Sequence, residues 1–485
     1  MKKHRFLSLL LAILLSTSLL TACGDDPDTG SADTTSAAEE TPAPETVPEW
    51  ALPDMDFGGE SVTFILRRTP DDWSADDVIA AEMNGTPIND AVFTRNSQVE
   101  ETYNVQIVGI DAPLGHSIYD PVINSIMAGD QTFDVSASYQ YDAINLMMEN
   151  VLYDLHETEY IQLERDWWNP FYNESASMMG RQYYALGDIS RVYKLGVRCL
   201  FFNKDLAENL HIGNLYDMVQ EGKWDFETFF STAELGNIDL DGNGAMDDAD
   251  CYGIQAQSSL GIVLAMGGNL QITGKDADDY PILTVQTEAN QETMERISSL
   301  LNTNKALIHT SDNWLNTQNR FSAGQVLFQA EVMLLIEALR ASEVDVGILP
   351  MPKYDLQQEN YISFLDGWCQ NVCAIPTTCT NTEKVSFVLE AMAQGSLDTL
   401  TPAFYDICLN GKYIRDEKSS DMLDIIFAYC RTESAETFGW GNLYGNLNAA
   451  ISKGTTSSAI QSGSAAAEAA IEKTLSTMKS NLGIE

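Results

Sequence analysis

Residues 239–250 read Asp-Leu-Asp-Gly-Asn-Gly-Ala-Met-Asp-Asp-Ala-Asp. A calcium loop of twelve residues takes side-chain oxygens at positions 1, 3 and 5, a backbone carbonyl at 7, a ligand or bridging water at 9, a carboxylate at 12, and glycine at 6 for the turn. Asp239, Asp241, Asn243, Ala245, Asp247 and Asp250 fill the ligand places, Gly244 fills the turn, and Met246 offers an apolar anchor. Carboxylates gathered this closely repel one another unless a cation sits among them. The spacing therefore predicts a Ca2+ ion in a structural role. Asp250 stands where a longer glutamate would give more reach.

A second set of residues suits carbohydrate. A pyranose ring presents apolar C–H faces that stack on aromatic rings, while its hydroxyls bond carboxylates and amides. Trp167, Trp168, Trp314, Trp368 and Trp440 fall in loop-like or strand-end places. Trp368 beside Gly367, with Tyr139 and Tyr141, are the leading candidates, and Asp188, Gln329 and Glu331 are the polar ones. Catalytic signatures are missing: there is no GxSxG, Walker A, HExxH or GxGxxG, and the five histidines form no metal-spaced pair. With 71 acidic residues some pair always resembles a glycosidase dyad, and none is singled out. The expectation is a binding protein, not an enzyme.

The elements that position these residues follow from periodicity. Strands are expected over 61–66, 105–110, 132–137, 183–186, 197–203, 325–329 and 344–349, and helices over 87–103, 118–128, 141–148, 225–233 and 292–301. Strand and helix alternate, so an α/β fold with a largely parallel sheet is expected, its ligand beyond the carboxyl ends of the strands. Helices over 384–392, 401–409, 422–429 and 465–478 make the C-terminal third helix-rich.

Lys2, Lys3 and Arg5 precede an apolar run over 6–20, the pattern of a secretory leader too short to span a membrane. Residues 24–52 are Ser-, Thr-, Ala-, Pro- and acid-rich and make an acidic, disordered tether. Beyond the leader no apolar run approaches 18 residues. Losing Lys2, Lys3 and Arg5 with the leader takes the net charge from −44 to −47, which excludes nucleic acid and repels polyanions generally. Eight cysteines include Cys23; the other seven are an odd number and cannot all pair. Their apolar flanks suit small buried hydrophobes, and a Cys369–Cys379 staple stays open.

Leu20-Thr21-Ala22-Cys23 resembles the lipobox of bacterial lipoproteins. The resemblance implies a signal peptide over 1–23, acylation of Cys23, and anchorage to the outer face of the bacterial cytoplasmic membrane through lipid alone. A longer likeness covers nearly the whole chain after the tether. Glu101-Thr102-Tyr103-Asn104-Val105, Phe133-Asp134-Val135, Leu152-Tyr153-Asp154-Leu155, Tyr183-Tyr184-Ala185-Leu186-Gly187, Phe202-Asn203-Lys204-Asp205-Leu206, Trp224-Asp225-Phe226, Ser322-Ala323-Gly324-Gln325-Val326 and Asp345-Val346-Gly347-Ile348-Leu349-Pro350-Met351-Pro352 resemble, in order, segments of the family 1 extracellular solute-binding proteins. Phe202 replaces that family's usual tyrosine.

The resemblance implies a two-lobed periplasmic-binding-protein-like fold of type II, hinged around an interlobe cleft. Lobe one would hold 53–200 and 308–360, and lobe two 201–307 and 361–485. The segment carrying Trp368 would reach the cleft. It implies a monomeric substrate-binding lipoprotein that captures a sugar or oligosaccharide and delivers it to the transmembrane subunits of an ABC permease. A protein presenting ligand to a sensory receptor, or a lipid-anchored glycan hydrolase, stays open beside it.

Overall fold

In the computed structural model the described residues are 51–69, 78–339, 342–409 and 417–484. The leader, Cys23 and the tether up to residue 50 lie outside them.

The strand β1 (Glu60–Leu66) buries Val62 and Phe64 completely. It leads to helix α1 (Pro87–Tyr103), which begins with proline at its first position, where the missing N–H costs nothing. The helix ends on Asn104 in the left-handed region at φ 48°, a conformation asparagine tolerates. The chain then returns as β2 (Val105–Asp111), parallel to β1, passes through α2 (Tyr119–Ala128), and lays β3 (Val135–Tyr139) on β1's other side, again parallel.

A second sheet is built from β4 (Arg198–Asn203), β5 (Tyr252–Ala256), β8 (Ile308–Thr310), β9 (Val326–Val332) and β10 (Val346–Leu349). Between β5 and β8 lies the hairpin β6 (Thr273–Lys275) with β7 (Pro281–Leu283), and later β11 (Ser363–Phe364) pairs with β13 (Cys430–Arg431). The strand β12 (Asn371–Ala374) joins the first sheet antiparallel to β3.

The two sheets repeat one plan. Their orders, β12-β3-β1-β2 and β10-β4-β9-β5-β8, each place a first strand between two parallel partners and add an antiparallel strand beside the later partner. The carboxyl ends of β1 and β3, and of β5 and β9, are thus the places where the fold leaves room for a ligand.

Two apolar cores match the plan. One joins the first sheet to one face of the second and takes Cys199 and Phe201 of β4; the other covers the opposite face and takes Leu200 and Phe202. Helices Thr382–Gly395, Leu400–Leu409, Glu417–Ala428, Leu443–Lys453 and Thr456–Leu482 supply the expected helical third.

Three expectations are corrected. The first sheet is largely parallel, with only β12 antiparallel, but the second is mixed, because β4 and β10 pair antiparallel. The stretch 183–186 makes only an isolated bridge, Ala185 to Cys373, since the Asn173 side-chain amide takes both the N–H and the C=O of Leu186. The division of 308–485 also differs: β8, β9 and β10, expected in lobe one, pair with β4 and β5, while β12, expected in lobe two, pairs with β3. Strands of equal apolarity give no sign of which sheet they will join. Among the described residues no helix is long and apolar enough to cross a membrane, and the seven described cysteines are all buried, with no disulfide between Cys369 and Cys379.

Candidate ligand-binding cleft

Arg198 opens β4 inside an otherwise apolar run, and its surroundings show why. Its Nη1 donates to Glu331 Oε1 at 3.0 Å, and its Nη2 lies 2.6 Å from Asp366 Oδ2. Register puts Cys199 opposite Glu331 and Arg198 opposite Val332, at the carboxyl end of β9. Asp366 arrives because Val197 bridges Leu365, and the turn that follows carries Trp368. The indole N–H of Trp368 donates to Asp366 Oδ2 at 3.0 Å, and Gln257, just past β5, donates to Glu331 Oε2 at 2.9 Å.

These groups surround a cavity of about 530 Å³ lined by Arg198, Gln257, Glu331, Val332, Leu334, Trp314 and Trp368. Trp314 is 36% exposed and Trp368 39% exposed, so ring surface is available to a solute. A larger hollow of about 670 Å³ lies along Pro281, Ile282 and the helix Thr456–Leu482. Its charged residues, Glu468, Glu472 and Lys479, all stand on that one helix and no aromatic ring lines it, so the cleft is the better candidate.

Electrostatics around the cleft are dominated by burial. Burial raises the Glu331 carboxyl, and the Arg198 charge opposes that rise. For Arg198 burial works against the charge, but the Asp366 and Glu331 carboxylates outweigh it and raise the guanidinium pKa. Glu436 is pushed up to about 8 by burial, then by Asp366 and Glu433, against the pull of the Gly367 N–H and Arg198. Its Oε2 is sealed from solvent although the residue as a whole is only half-buried.

Tyr139 and Tyr141 stand side by side, ring centroids 4.9 Å apart, with the Arg67 guanidinium 5.1 Å from the Tyr139 centroid. Tyr141 packs so closely on Gly367 that a Cβ there would lie 2.7 Å from its hydroxyl, which requires glycine before Trp368. Burial raises both phenols, Tyr139 to about 12.

Of the residues expected to bind ligand, Trp368 and Glu331 line the cavity, and Tyr141 backs the turn that holds Trp368. Tyr139 stands behind Tyr141 and is not among the lining residues. Gln329, two residues before Glu331 on the same face of β9, is fully buried beneath it. Asp188 is a correction. Its carboxylate is buried and committed to Lys194 at 2.5 Å, Tyr193 at 2.7 Å and Thr401 at 2.9 Å, away from this cavity. The other expected tryptophans divide the same way: Trp167, Trp168 and Trp440 are buried, the last donating to Thr474, and only Trp314 joins Trp368. Arg198, Gln257 and Asp366 were missed; a charge inside an apolar strand was the available signal for Arg198.

In the 239–250 loop, Asp239, Asp241 and Asp250 each bring a carboxylate oxygen within 4.8 Å of the others. Backbone N–H groups of Gly242 and Gly244 donate to Asp239, and those of Leu240 and Asp247 to Asp250. Gly244 takes φ 81°, as the turn position requires. Asn243 accepts from the Ala245 N–H, and Asp247 lies outside the carboxylate group, accepting from the Ala249 N–H.

No family model matches the chain, and no curated protein matches it. Solved structures do. A cyclo/maltodextrin-binding protein complexed with maltotetraose superposes with a TM-score of 0.55 at 10% identity, covering 87% of this chain and 97% of the other. UspC of M. tuberculosis gives 0.56 at 14% identity, over 84% of this chain and 100% of the other. This chain has the fold of the two-lobed solute-binding proteins. A sugar transporter from Rhizobium etli in an open conformation gives 0.53 at 14% identity, over 86% and 99%. The cavity lies at the carboxyl ends of β5 and β9 and is walled by the turn before β12.

Proposed function

We propose that this protein is the solute-binding component of an ABC importer and that its solute is a sugar or oligosaccharide. The observation that carries the reading is the cavity itself: two half-open indole rings, Trp314 and Trp368, beside Glu331 and Gln257. Rings take the apolar faces of a pyranose, and carboxylate and amide take its hydroxyls. Structural neighbours that include a maltotetraose complex and a sugar transporter support the same solute class.

The test is a melting screen of the chain without its leader against neutral and acidic oligosaccharides, peptides and polyamines. A bound solute at about 100 times its Kd stabilises the fold by about 2.7 kcal/mol. A shift with at least one glycan is expected. A shift with a peptide or polyamine and with no glycan would replace the reading, and release of reducing ends from a glycan would replace it with hydrolysis.

Two further parts of the proposal rest on sequence spacing. Cys23 carries the lipid that holds the protein to the outer face of the membrane; Cys23→Ala is expected to release it into the medium. The 239–250 loop holds Ca2+ as a structural pin, a reading supported by its spacing and its three convergent carboxylates.

A further inference from the structure

Sugars come uncharged, acidic or amine-bearing, and the charges lining the cavity distinguish among them. Among the described residues that line it, Arg198 is the only cationic side chain. Both of its terminal nitrogens are committed, Nη1 to Glu331 and Nη2 to Asp366, and its Nε is sealed from solvent. Glu331 is buried and faces the cavity, one oxygen taking Arg198 and the Val332 N–H, the other taking Gln257. Behind Trp368 stand Asp366 and Glu436, again carboxyls. Arg67, on the far side of Tyr139, is only 2% exposed and acts on Asp142.

A carboxylate entering this space meets Glu331 with no uncommitted guanidinium or ammonium among the lining residues to pair it. A hydroxyl meets acceptors with lone pairs to spare, since each carboxylate oxygen can accept more than one hydrogen bond. The net charge of −44 does not decide this, because exposed charges are screened beyond about 8 Å at physiological salt. The buried carboxylate in the wall does. We propose that the cleft selects uncharged glycans and rejects uronate-bearing ones, with Glu331 as the specificity-determining residue. This rests on the carbohydrate reading above.

The experiment titrates the wild type and Glu331→Gln, by calorimetry and tryptophan fluorescence, with paired oligosaccharides of equal length and linkage. One member of each pair is neutral and the other is oxidised at C6 to the uronate; gluco-, xylo- and galacto-configured sets are used. In the wild type at least one neutral member is expected to bind, with its uronate partner about a hundredfold weaker, the scale of an unpaired like charge. Glu331→Gln is expected to close that gap by about tenfold. If the variant does not fold, the wild-type gap is measured against salt, and it is expected to persist at high ionic strength, because a buried charge is screened far less than exposed ones.

A uronate that binds the wild type as tightly as its neutral partner overturns the charge selection and leaves the carbohydrate reading standing. A gap that survives the substitution overturns the role of Glu331, and so does a wild-type gap that vanishes at high salt, which would assign it to exposed surface charge. Failure of every pair to bind removes the carbohydrate reading, and this inference with it.

Discussion

Two tryptophans and a glutamate come together twice in this molecule. At Trp167 and Trp168 both indole N–H groups donate to one carboxylate, Glu390, at 3.0 and 2.6 Å. All three side chains are buried, and Trp168 is fully sealed. At Trp314 and Trp368 the rings are more than a third exposed, and the nearby Glu331 takes its hydrogen bonds from Arg198 and Gln257 instead of from indole. The ingredients are alike, and the destination of the hydrogen bonds differs. Where the carboxylate is satisfied by the indoles, the rings are locked into a core. Where it is satisfied by a guanidinium and an amide, ring faces stay open to a solute.

The most severe way to break the comparison is in the closed pair. Trp168→Ala removes a fully buried ring and leaves Glu390 short of a donor, and is expected to cost about 3–5 kcal/mol of stability in a urea titration. Protein that still folds is expected to keep its solute affinity. A small loss of stability with a large loss of binding would move this pair into the cleft class.

Protonation sharpens the comparison next. Burial and the neighbouring Asp366 push Glu436 up from the ordinary carboxylate range to about 8, so the folded state holds its proton more tightly than the unfolded chain does. Stability from this group is then fully present at acid pH and is lost as pH rises toward about 8. The loss is expected to be on the order of a few kcal/mol at most, because part of the residue reaches solvent. Glu436→Gln is expected to flatten the pH dependence of the denaturation midpoint between acid and mildly alkaline conditions. An unchanged slope would show that this carboxyl titrates in the ordinary range.

The open pair responds in the opposite sense to the closed one. Trp368→Ala is expected to leave the apo melting curve within about 0.5 kcal/mol of wild type, as at other exposed positions. It is expected to weaken solute binding about tenfold, which is the loss of one stacked ring. A drop in apo stability with unchanged affinity would make Trp368 a core residue like Trp168.

Sequence alone carried much of the first sheet and little of this distinction. Pro87 and the apolar face of Ile88 and Val92 mark the start and the buried side of α1, and the helix spans the expected residues. β3 begins at Val135, later than expected; at Asp134 the carboxylate takes the Thr63 N–H while its own N–H donates to the Thr63 carbonyl, joining the chain to β1 just before the strand. Trp168 and Trp368 could not be told apart, since both sit in short loop-like segments; one meets Glu390 across 222 residues, the other Asp366 two residues away. Arg198 was readable only as an oddity, a cation in an apolar strand, because its partners come from β9 and from the turn before β12. Long-range pairing decides which sheet a strand joins and which ring is sealed, and periodicity has no access to it.

A third set of carboxylates gives the smallest expected effect and extends the comparison to acids with no cationic partner. Asp239, Asp241 and Asp250 converge within 4.8 Å, held by hydrogen bonds from Gly242, Gly244, Leu240, Asn243 and Asp247. Arg320 pairs with the Asp248 carboxylate, which is not one of the three, and reaches Asp250 at its backbone carbonyl. Backbone donors lower the Asp239 pKa, the Gly244 N–H first, and so keep that carboxylate charged beside its neighbours. A divalent cation would relieve the repulsion that Arg198 relieves in the cleft. Weak extracellular sites of this kind have Kd values of about 10⁻⁴ to 10⁻³ M, and calcium at about ten times Kd adds about 1.4 kcal/mol. For a chain of this size that is a melting rise on the order of 2 °C. Asp239→Ala combined with Asp241→Ala is expected to abolish the rise while leaving solute affinity intact, because the loop lies between the helix Phe226–Leu235 and β5 and contributes no side chain to the cavity. Identical melting curves in calcium and in chelator would mean that these carboxylates, unlike Glu331 and Glu390, are satisfied by backbone N–H groups and water alone.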